Sequence, residues 1–291
     1  MFGKARLIVR QVVGVVGGLL LGICLTLFFT GSGMQAQAPA PPPLQPPYRG
    51  LDANLYMISA EYRAICYQTF AWSRQLLETK LAQTQPGGKP FAVVADLDET
   101  LLDNSGFQTM QVRRNIAFDK SLWDVWQKEY GREVRLVPGA AEFVRDVRAL
   151  HVDLVYVSNR DETYRAETRQ LLADLGIGIT HENQLKLATD TSNKNKRRDE
   201  AREQYEVLLY LGDNLRDFDD CFRTPKLEDK KIETVKAAIE ERKKVVDEHR
   251  SKFGNSWVLL PNPVYGEWPV ASTGKPEDVE LLPAAPAAWR K

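Results

Sequence analysis

The sequence predicts an α/β fold, in which helices cover both faces of a Rossmann-like parallel sheet as a three-layer sandwich, with a small helical cap. Three short apolar runs, at residues 91–95, 154–157 and 207–211, each end abruptly in polar residues. Such runs are typical of strands that are buried on both faces. Because segments with helical periodicity lie between them, the strands are expected to form parallel βαβ units.

The remaining elements follow from the spacing of apolar residues and from the residues that end each segment. Residues 54–81 carry apolar side chains at helical spacing and are closed by Gly87 and Gly88, which predicts one long helix or a pair. Residues 104–138 interrupt the alternation of strands and helices, so we expect them to form the cap, with the N-terminal helix beside it. Further helices are predicted at residues 163–175, 194–205 and 229–253, and a fourth strand at residues 257–260.

The composition limits the classes of partner. The 291 residues contain 39 Lys and Arg against 39 Asp and Glu, so the net charge does not indicate a nucleic acid polymer. Three cysteines are too few for a disulfide framework. Cys66 and Cys221 are predicted to be two buried free thiols, and a single bridge between them stays open as an alternative.

The N-terminal residues have the charge pattern of a membrane segment. Lys4, Arg6 and Arg10 precede residues 11–48, which carry no charged side chain. The apolar stretch at residues 12–29 is long enough to span a bilayer. Positive charge is retained on the cytoplasmic side, which places the rest of the chain outside the membrane.

We therefore expect residues 1–31 to be an uncleaved signal anchor, with the domain that follows in the periplasm or at the cell surface. Residues 36–38 have the small-x-small form of a cleavage site, so secretion after signal cleavage stays open, although Pro39 should hinder the peptidase. The predicted organisation continues with a Pro-rich linker at 32–50, one α/β domain at 51–270 and a flexible tail at 271–291.

Carboxylates follow the first predicted strand, at Asp96 and Asp98. Ligands bind open parallel sheets beyond the carboxyl ends of the strands, so both carboxylates can face one cleft. If a phosphomonoester binds there, Asp96 can attack phosphorus and form an aspartyl-phosphate. Asp98 can then protonate the leaving group and later deprotonate water, which predicts an acidic rate optimum.

Residues after the other strands complete this site. Asp213 and Asp217 would form, with Asp96, a cage of hard oxygen ligands that suits Mg²⁺. Lys194 is the candidate for a fixed cation, with Lys186 as its rival. The candidates for binding phosphate oxygens are Thr100, Ser158 and Asn159.

Each of these motifs has an ordinary structural explanation when it stands alone. Asp-x-Asp is common in surface turns, Gly-Asp-Asn is ordinary turn chemistry, and Ser158 could cap the next helix. Residues 194–198 could form a solvated basic helix face. Their joint occurrence at the ends of predicted parallel strands favours a catalytic site.

These blocks resemble the haloacid dehalogenase superfamily and, within it, the class C acid phosphatases, bacterial surface enzymes that include the lipoprotein 5′-nucleotidase type. The resemblance covers about residues 54–268. It is carried by Ala60-Glu61-Tyr62-Arg63, the block from Asp96 to Asn104, Val157-Ser158-Asn159-Arg160, Ser192-Asn193-Lys194, the block from Gly212 to Phe218, and the block from Leu260 to Gly266.

The resemblance implies a haloacid dehalogenase-like fold and a Mg²⁺-dependent hydrolysis of small-molecule phosphomonoesters, often nucleoside monophosphates. It makes Asp96 the nucleophile, Asp98 the acid/base, and Lys194 the phosphate-stabilising cation. The implied metal ligands are the Asp96 side chain, the Asp98 backbone carbonyl and Asp213, with Asp217 supporting the bound waters. The aromatic residues implied to grip the substrate are Trp123 and Tyr265, with Phe107 as a weaker candidate.

Two other functions are compatible with parts of this sequence. The superfamily also contains dehalogenases and phosphonate hydrolases, but the carboxylate of Asp98 is what the leaving group of a phosphate ester requires. An anchored surface receptor for a nucleotide, haem or a host partner, with a vestigial phosphatase site, is the alternative outside enzymes. The intact set of Asp96, Asp98, Lys194 and Asp213 argues against lost catalysis.

Overall fold

The central element of the fold is a five-stranded parallel sheet. The computed structural model describes residues 50–85, 87–224, 226, 227, 229, 231–268, 281 and 282. The strands in chain order are β1 (Phe91–Ala95), β2 (Leu102–Asp103), β3 (Arg135–Leu136), β4 (Asp153–Asp161), β5 (Leu185–Ala188), β6 (Glu206–Gly212) and β7 (Trp257–Leu259). The large sheet has the order β5-β4-β1-β6-β7 and every neighbouring pair is parallel, whereas β2 and β3 form a separate antiparallel pair.

Helices cover both faces of this sheet, as the three-layer prediction requires. They are α1 (Leu51–Met57), α2 (Ala60–Gln83), α3 (Ser105–Arg114), α4 (Lys120–Glu129), α5 (Ala140–Ala149), α6 (Arg165–Asp174), α7 (Asn195–Gln204) and α8 (Ile232–Glu248). Alternate residues of β1 point to opposite faces. Val93 and Ala95 join the core that contains α2, α5 and α6, and Ala92 and Val94 pack with Ala201 of α7.

The structure confirms the predicted elements, with boundaries that differ by a few residues. The segment 54–81 is a pair of helices, α1 and α2, and Ser59 begins the second because its hydroxyl accepts a hydrogen bond from the Tyr62 N–H at 3.0 Å. Strand β5 was missed. It has only four residues at the edge of the sheet, with Leu185 and Leu187 buried and the two between and after them partly exposed, which is too short for a clear periodic signal.

The segment 104–138 contains the two helices expected of a cap, α3 and α4, and α1 packs against α3. Gly106 allows the two cap helices to touch, since a Cβ there would lie 2.8 Å from the Trp126 ring. The Trp126 indole N–H donates to Asn104 Oδ1 at 3.0 Å. This bond fixes α4 to Asn104, the residue between β2 and α3.

Both cysteines beyond Cys24 are free, so the alternative of a disulfide is wrong. The prediction of two buried thiols holds for Cys66 but not for Cys221, which is exposed because it lies in a short turn, a 3₁₀ helix at Asp220–Phe222.

The predicted anchor and almost all of the Pro-rich linker lie outside the described residues, as does most of the predicted tail. Within the described ranges, no helix combines the length and the apolar composition needed to cross a membrane.

Candidate active site

Three carboxylates converge where β1 and β6 end. Asp96 follows β1 directly, Asp213 follows β6, and Asp217 lies in the turn after Asp213. The two strands are neighbours, with Ala95 beside Leu211, so residues that follow them meet at one edge. One oxygen from each of the three carboxylates lies within 4.8 Å of the others. The structure thus brings together the three side chains that the sequence assigned to a metal.

A glycine makes this approach possible. A Cβ added at Gly212 would lie 2.4 Å from Cβ of Asp217, which no real side chain tolerates. The Asp217 carboxylate turns back over Gly212, and its Oδ2 accepts the N–H of Asn214 at 2.9 Å. The turn therefore needs Gly at 212 for space and Asp at 217 as a hydrogen-bond acceptor.

Lys194 lies between two of the carboxylates. Its Nζ is 2.7 Å from Asp96 Oδ1 and 2.7 Å from Asp217 Oδ1, and the side chain is 3% exposed. Burial lowers the pKa of Lys194, but the carboxylates of Asp217 and Asp96 outweigh it, and the net pKa is raised. The lysine is therefore a permanent cation at the centre of the site.

The site holds more negative charge than this lysine can balance. Burial raises the pKa of Asp96 to about 7, although Lys194 acts in the opposite direction. Burial, together with Asp217 and Asp96, raises the pKa of Asp213 well above its usual range. Three carboxylates therefore face a single lysine. A donor set of hard oxygens with this excess of negative charge fits a divalent cation such as Mg²⁺.

Asp213 is held in place by two neutral donors. The Thr100 hydroxyl donates to Oδ1 at 3.1 Å, and the Asn262 amide donates to Oδ2 at 2.8 Å. Thr100 is fully buried and does not line the cleft, so it contacts a candidate metal ligand and not the space where a substrate would bind. Asn262 belongs to the loop after β7, and residues 264–267 of this loop line the cleft.

Asp98 faces the cleft from the loop after β1 and is paired with a buried arginine. Arg160, at the end of β4, places its Nη2 2.7 Å from Asp98 Oδ1. The Asn104 amide donates to the same oxygen at 2.9 Å. The predicted acid/base carboxylate is therefore fixed by two partners that sequence reasoning did not assign to it.

Glu99 is a second buried carboxylate behind Asp98. Its backbone has a φ of 57°, in the left-handed region, and its side chain is 1% exposed. One carboxylate oxygen accepts the Asn104 N–H at 3.1 Å, and the other accepts the hydroxyl of Tyr265. Burial and the neighbouring Asp98 raise the pKa of Glu99 to about 8. The hydrogen bond between Tyr265 and Glu99 connects the loop after β7 to the loop after β1.

A cleft of about 1170 Å³ opens above these residues. The predicted site residues that line it are Asp96, Asp98, Trp123, Asn159, Lys194, Asp213, Asp217 and Tyr265, and Phe107 lines it as well. Ser158 does not, because it is fully buried and its hydroxyl accepts the Arg160 N–H at 3.2 Å. Lys186 lies elsewhere and its Nζ is 3.4 Å from Glu200, so its candidacy as the fixed cation is wrong.

The basic run at residues 194–198 is not a solvated face. Arg197 and Arg198 are 8% and 1% exposed, and Arg197 donates to Asn159 Oδ1 at 2.8 Å. Arg198 donates to the backbone carbonyls of residues 216 and 217 at 2.9 and 3.0 Å. The spacing of these residues could have predicted their burial, since positions 194, 197 and 198 share one face of a helix, which can pack against the sheet.

Comparisons with known proteins agree with this geometry. Residues 51–268 match the family described as HAD superfamily, subfamily IIIB (Acid phosphatase). The structure of the class C acid phosphatase from Bacillus anthracis is similar, with 28% sequence identity and a TM-score of 0.66 over 81% of this chain and 97% of that chain. The same enzyme with tungstate bound has a TM-score of 0.65 at 28% identity, over the same shares of the two chains.

Proposed function

Because the chain belongs to the acid phosphatases of HAD subfamily IIIB and is thus a phosphomonoester hydrolase, we propose that it works through an aspartyl-phosphate on Asp96 with the help of Mg²⁺. The observation that carries this proposal is the position of Asp96, which lies at the end of β1, 2.7 Å from Lys194 and beside Asp213 and Asp217. A carboxylate between a fixed cation and a cation site can meet a dianionic phosphate without repulsion.

The reaction then has two displacements. In the first, an oxygen of Asp96 forms a bond to phosphorus, the ester P–O bond breaks, and Asp98 gives a proton to the leaving oxygen. In the second, water attacks the phosphorus of the aspartyl-phosphate and Asp98 takes its proton. Inorganic phosphate leaves and Asp96 is restored.

Mg²⁺ would be held by the Asp96 side chain, the Asp98 backbone carbonyl and Asp213, with Asp217 behind them. When bound, it would neutralise charge on the phosphate and the carboxylates. Lys194 and Asn159 line the cleft and would contact phosphate oxygens. Ser158 and Thr100 would act indirectly, through Arg160 and Asp213 respectively.

Nucleoside monophosphates are the substrate class that we favour. Trp123 and Tyr265 line the cleft with partly exposed rings, and a base stacked on such a ring gains roughly 1–3 kcal/mol. Phe107 is 1% exposed and its ring meets that of Trp123 edge to face at 5.1 Å. Phe107 would therefore orient Trp123, and the exposed ring would contact the base.

The decisive experiment measures phosphate release by the full chain from p-nitrophenyl phosphate and several nucleoside monophosphates. Assays at about pH 5 and pH 7.5, with Mg²⁺ or with EDTA, test the acidic optimum and the metal, and Asp96→Asn tests the nucleophile. We expect Mg²⁺-dependent release that is faster at the lower pH, is inhibited by tungstate and is lost in Asp96→Asn. Full activity of Asp96→Asn would refute the proposed intermediate.

We further propose that residues 12–29 anchor the enzyme and that its domain acts outside the cytoplasm. The support is the uncharged apolar stretch and the basic residues before it. Expression of the full chain in bacteria, followed by membrane fractionation and protease treatment of spheroplasts, checks it. Recovery of the uncleaved chain in the soluble cytoplasmic fraction would contradict the proposal.

A further inference from the structure

A buried arginine joins the proton-transfer carboxylate to the cap. Arg160 is 1% exposed and lies near the end of β4, which continues beyond the end of β1 because Ala95 pairs with Tyr156. Its guanidinium reaches Asp98, which is 62 residues away in the sequence. The mechanism above gives Asp98 a role in proton transfer but does not say what the guanidinium of Arg160 does, so this buried cation requires its own explanation.

The donors around Asp98 converge on one of its two oxygens. Oδ1 accepts hydrogen bonds from Arg160 Nη2 at 2.7 Å and Nε at 2.9 Å, and from Asn104 Nδ2 at 2.9 Å. Within the described residues, Oδ2 has a single and longer hydrogen bond, to Arg160 Nε at 3.2 Å. A carboxylate held in this way keeps one rotamer and retains Oδ2 for proton exchange. The planar fork of the guanidinium suits this task better than a lysine would.

The same arginine contacts the wall of the cleft. Its Cζ lies 5.7 Å from the centroid of the Trp123 ring, within the range of a cation–π interaction. Its Nη2 is also 3.3 Å from Asn104 Oδ1, the atom that accepts the indole N–H of Trp126. Both tryptophans belong to α4. Arg160 therefore connects a cap helix that lines the cleft to the carboxylate that moves the proton.

We propose that Arg160 is a positioning residue that holds Asp98 by Oδ1, keeps Oδ2 available to the leaving group, and links this orientation to Trp123. The inference rests on the proposed role of Asp98 in proton transfer. Arg160 itself does not line the cleft, so it would act on the substrate only through Asp98 and Trp123.

Esters whose leaving groups differ in their need for a proton distinguish such a role from a structural one. When the ester bond breaks, its electron pair moves to the leaving oxygen. An alkoxide must receive a proton at that moment, whereas p-nitrophenolate is stable without one. A misplaced Asp98 should therefore slow the hydrolysis of alkyl phosphates much more than that of p-nitrophenyl phosphate. A merely structural defect would slow both esters alike.

The test is the single-turnover rate of the first displacement by the full chain with a nucleoside 5′-monophosphate and with p-nitrophenyl phosphate. We expect Arg160→Gln to slow the nucleotide on the order of 100-fold, at the lower end of general-acid effects, and p-nitrophenyl phosphate less than about tenfold. Arg160→Lys should fall between Arg160→Gln and the wild type. The matched control is Arg165→Gln, since Arg165 is partly exposed, pairs with Glu162 outside the cleft and should leave both rates unchanged.

The double variant Asp98→Asn with Arg160→Gln should be as slow with the nucleotide as Asp98→Asn alone. The two substitutions impair the same proton transfer, so their effects should not add. Equal slowing of both esters by Arg160→Gln, or additive losses in the double variant, would overturn the positioning role. If Arg160→Gln does not fold, the same rates are measured with Arg160→Lys, and equal slowing of both esters by that variant overturns the positioning role. If Asp98→Asn itself slows both esters equally, the acid/base role of Asp98 fails, which is a separate outcome from failure of Arg160 alone.

Discussion

The cleft has a floor at the strand ends and a wall from the cap, and the two are built differently. The floor consists of Asp96, Asp213, Asp217 and Lys194, which are buried or nearly so. Lys194 pairs with Asp96 and Asp217, and the carboxylate of Asp213 accepts hydrogen bonds from Thr100 and Asn262. The wall presents apolar rings of which some are open to solvent, such as Phe118 at 64% exposure.

From this difference we infer that the floor carries the chemistry and that the wall sets the specificity. The three carboxylates of the floor follow strands of the sheet, and Lys194 lies at the start of α7. Their positions therefore depend on the packing of the sheet, and a substitution there changes the charge of a buried group. Wall residues contribute contact area and can be exchanged without disturbing the sheet. We therefore expect floor substitutions to affect every ester, and wall substitutions to affect esters according to their leaving group.

The largest effect should come from Lys194→Met. It leaves two buried carboxylates without their cation, and breaking a buried pair costs about 3–5 kcal/mol of stability. Loss of a fixed charge at the phosphate should lower kcat by about 10²–10³ for all esters. Steady-state kinetics and urea unfolding check both effects. The control is Lys186→Met, which removes a lysine that pairs with Glu200 outside the cleft and should retain activity. Equal losses of activity in the two variants would contradict the distinction.

The floor should also make stability depend on pH and metal. The pKa of Asp96, about 7 in the folded chain, exceeds its usual value, so between about pH 5 and 7 the folded state binds more protons than the unfolded state. Without metal, stability should therefore fall as pH rises through this range, and Mg²⁺ should restore more of it at about pH 7.5 than at pH 5.

Thermal unfolding with EDTA and with Mg²⁺ measures this dependence. Ion-paired carboxylates with lowered pKa values, such as Asp220, make the protein less stable as the pH falls below about 4. The stabilities with EDTA and with Mg²⁺ should therefore be compared above that pH. Asp96→Asn should flatten the slope. A metal-free protein whose stability rises between pH 5 and 7 would contradict the account of the floor.

Gly212→Ala should be the next largest change. The added methyl would lie 2.4 Å from Asp217 Cβ, so the turn must shift, and such overpacking costs about 1–3 kcal/mol. Displacement of Asp217 should weaken Mg²⁺ activation for every ester, as measured by Mg²⁺ titration of the rate. Gly87→Ala is the matched control, because the methyl that it adds would have no atom of the described residues within 4 Å. Wild-type Mg²⁺ activation in Gly212→Ala would show that the contact is unimportant.

The smallest effect belongs to the wall. Trp123→Leu removes a stacking surface and should raise KM for a nucleoside monophosphate about fivefold, near the lower end of the roughly 1–3 kcal/mol range of base stacking. KM for glycerol phosphate, an alkyl ester without a base, should stay the same. Trp72→Leu, on an exposed tryptophan that does not line the cleft, is the control. An equal change in KM for both esters would show that the base of the nucleotide does not stack on Trp123.

Strong local patterns account for what could be predicted. The apolar run Phe91–Ala95 is short, buried and followed by Asp96, so both the strand and the residue at its end could be identified directly. The helices α6, α7 and α8 were found in the same way. Strand β5 was missed because four residues at a sheet edge carry too few apolar positions to define a period.

The sequence alone determined which polar residues stand at strand ends, because periodicity and burial are local properties of a segment. Only the tertiary structure decided which of them meet. The neighbouring positions of β4 and β1 bring Arg160 to Asp98, and the packing of α7 against the sheet brings Lys194 to Asp96. Ser158 and Thr100 are buried and do not line the cleft. Partners so far apart in the chain depend on strand order and register, which no local pattern encodes.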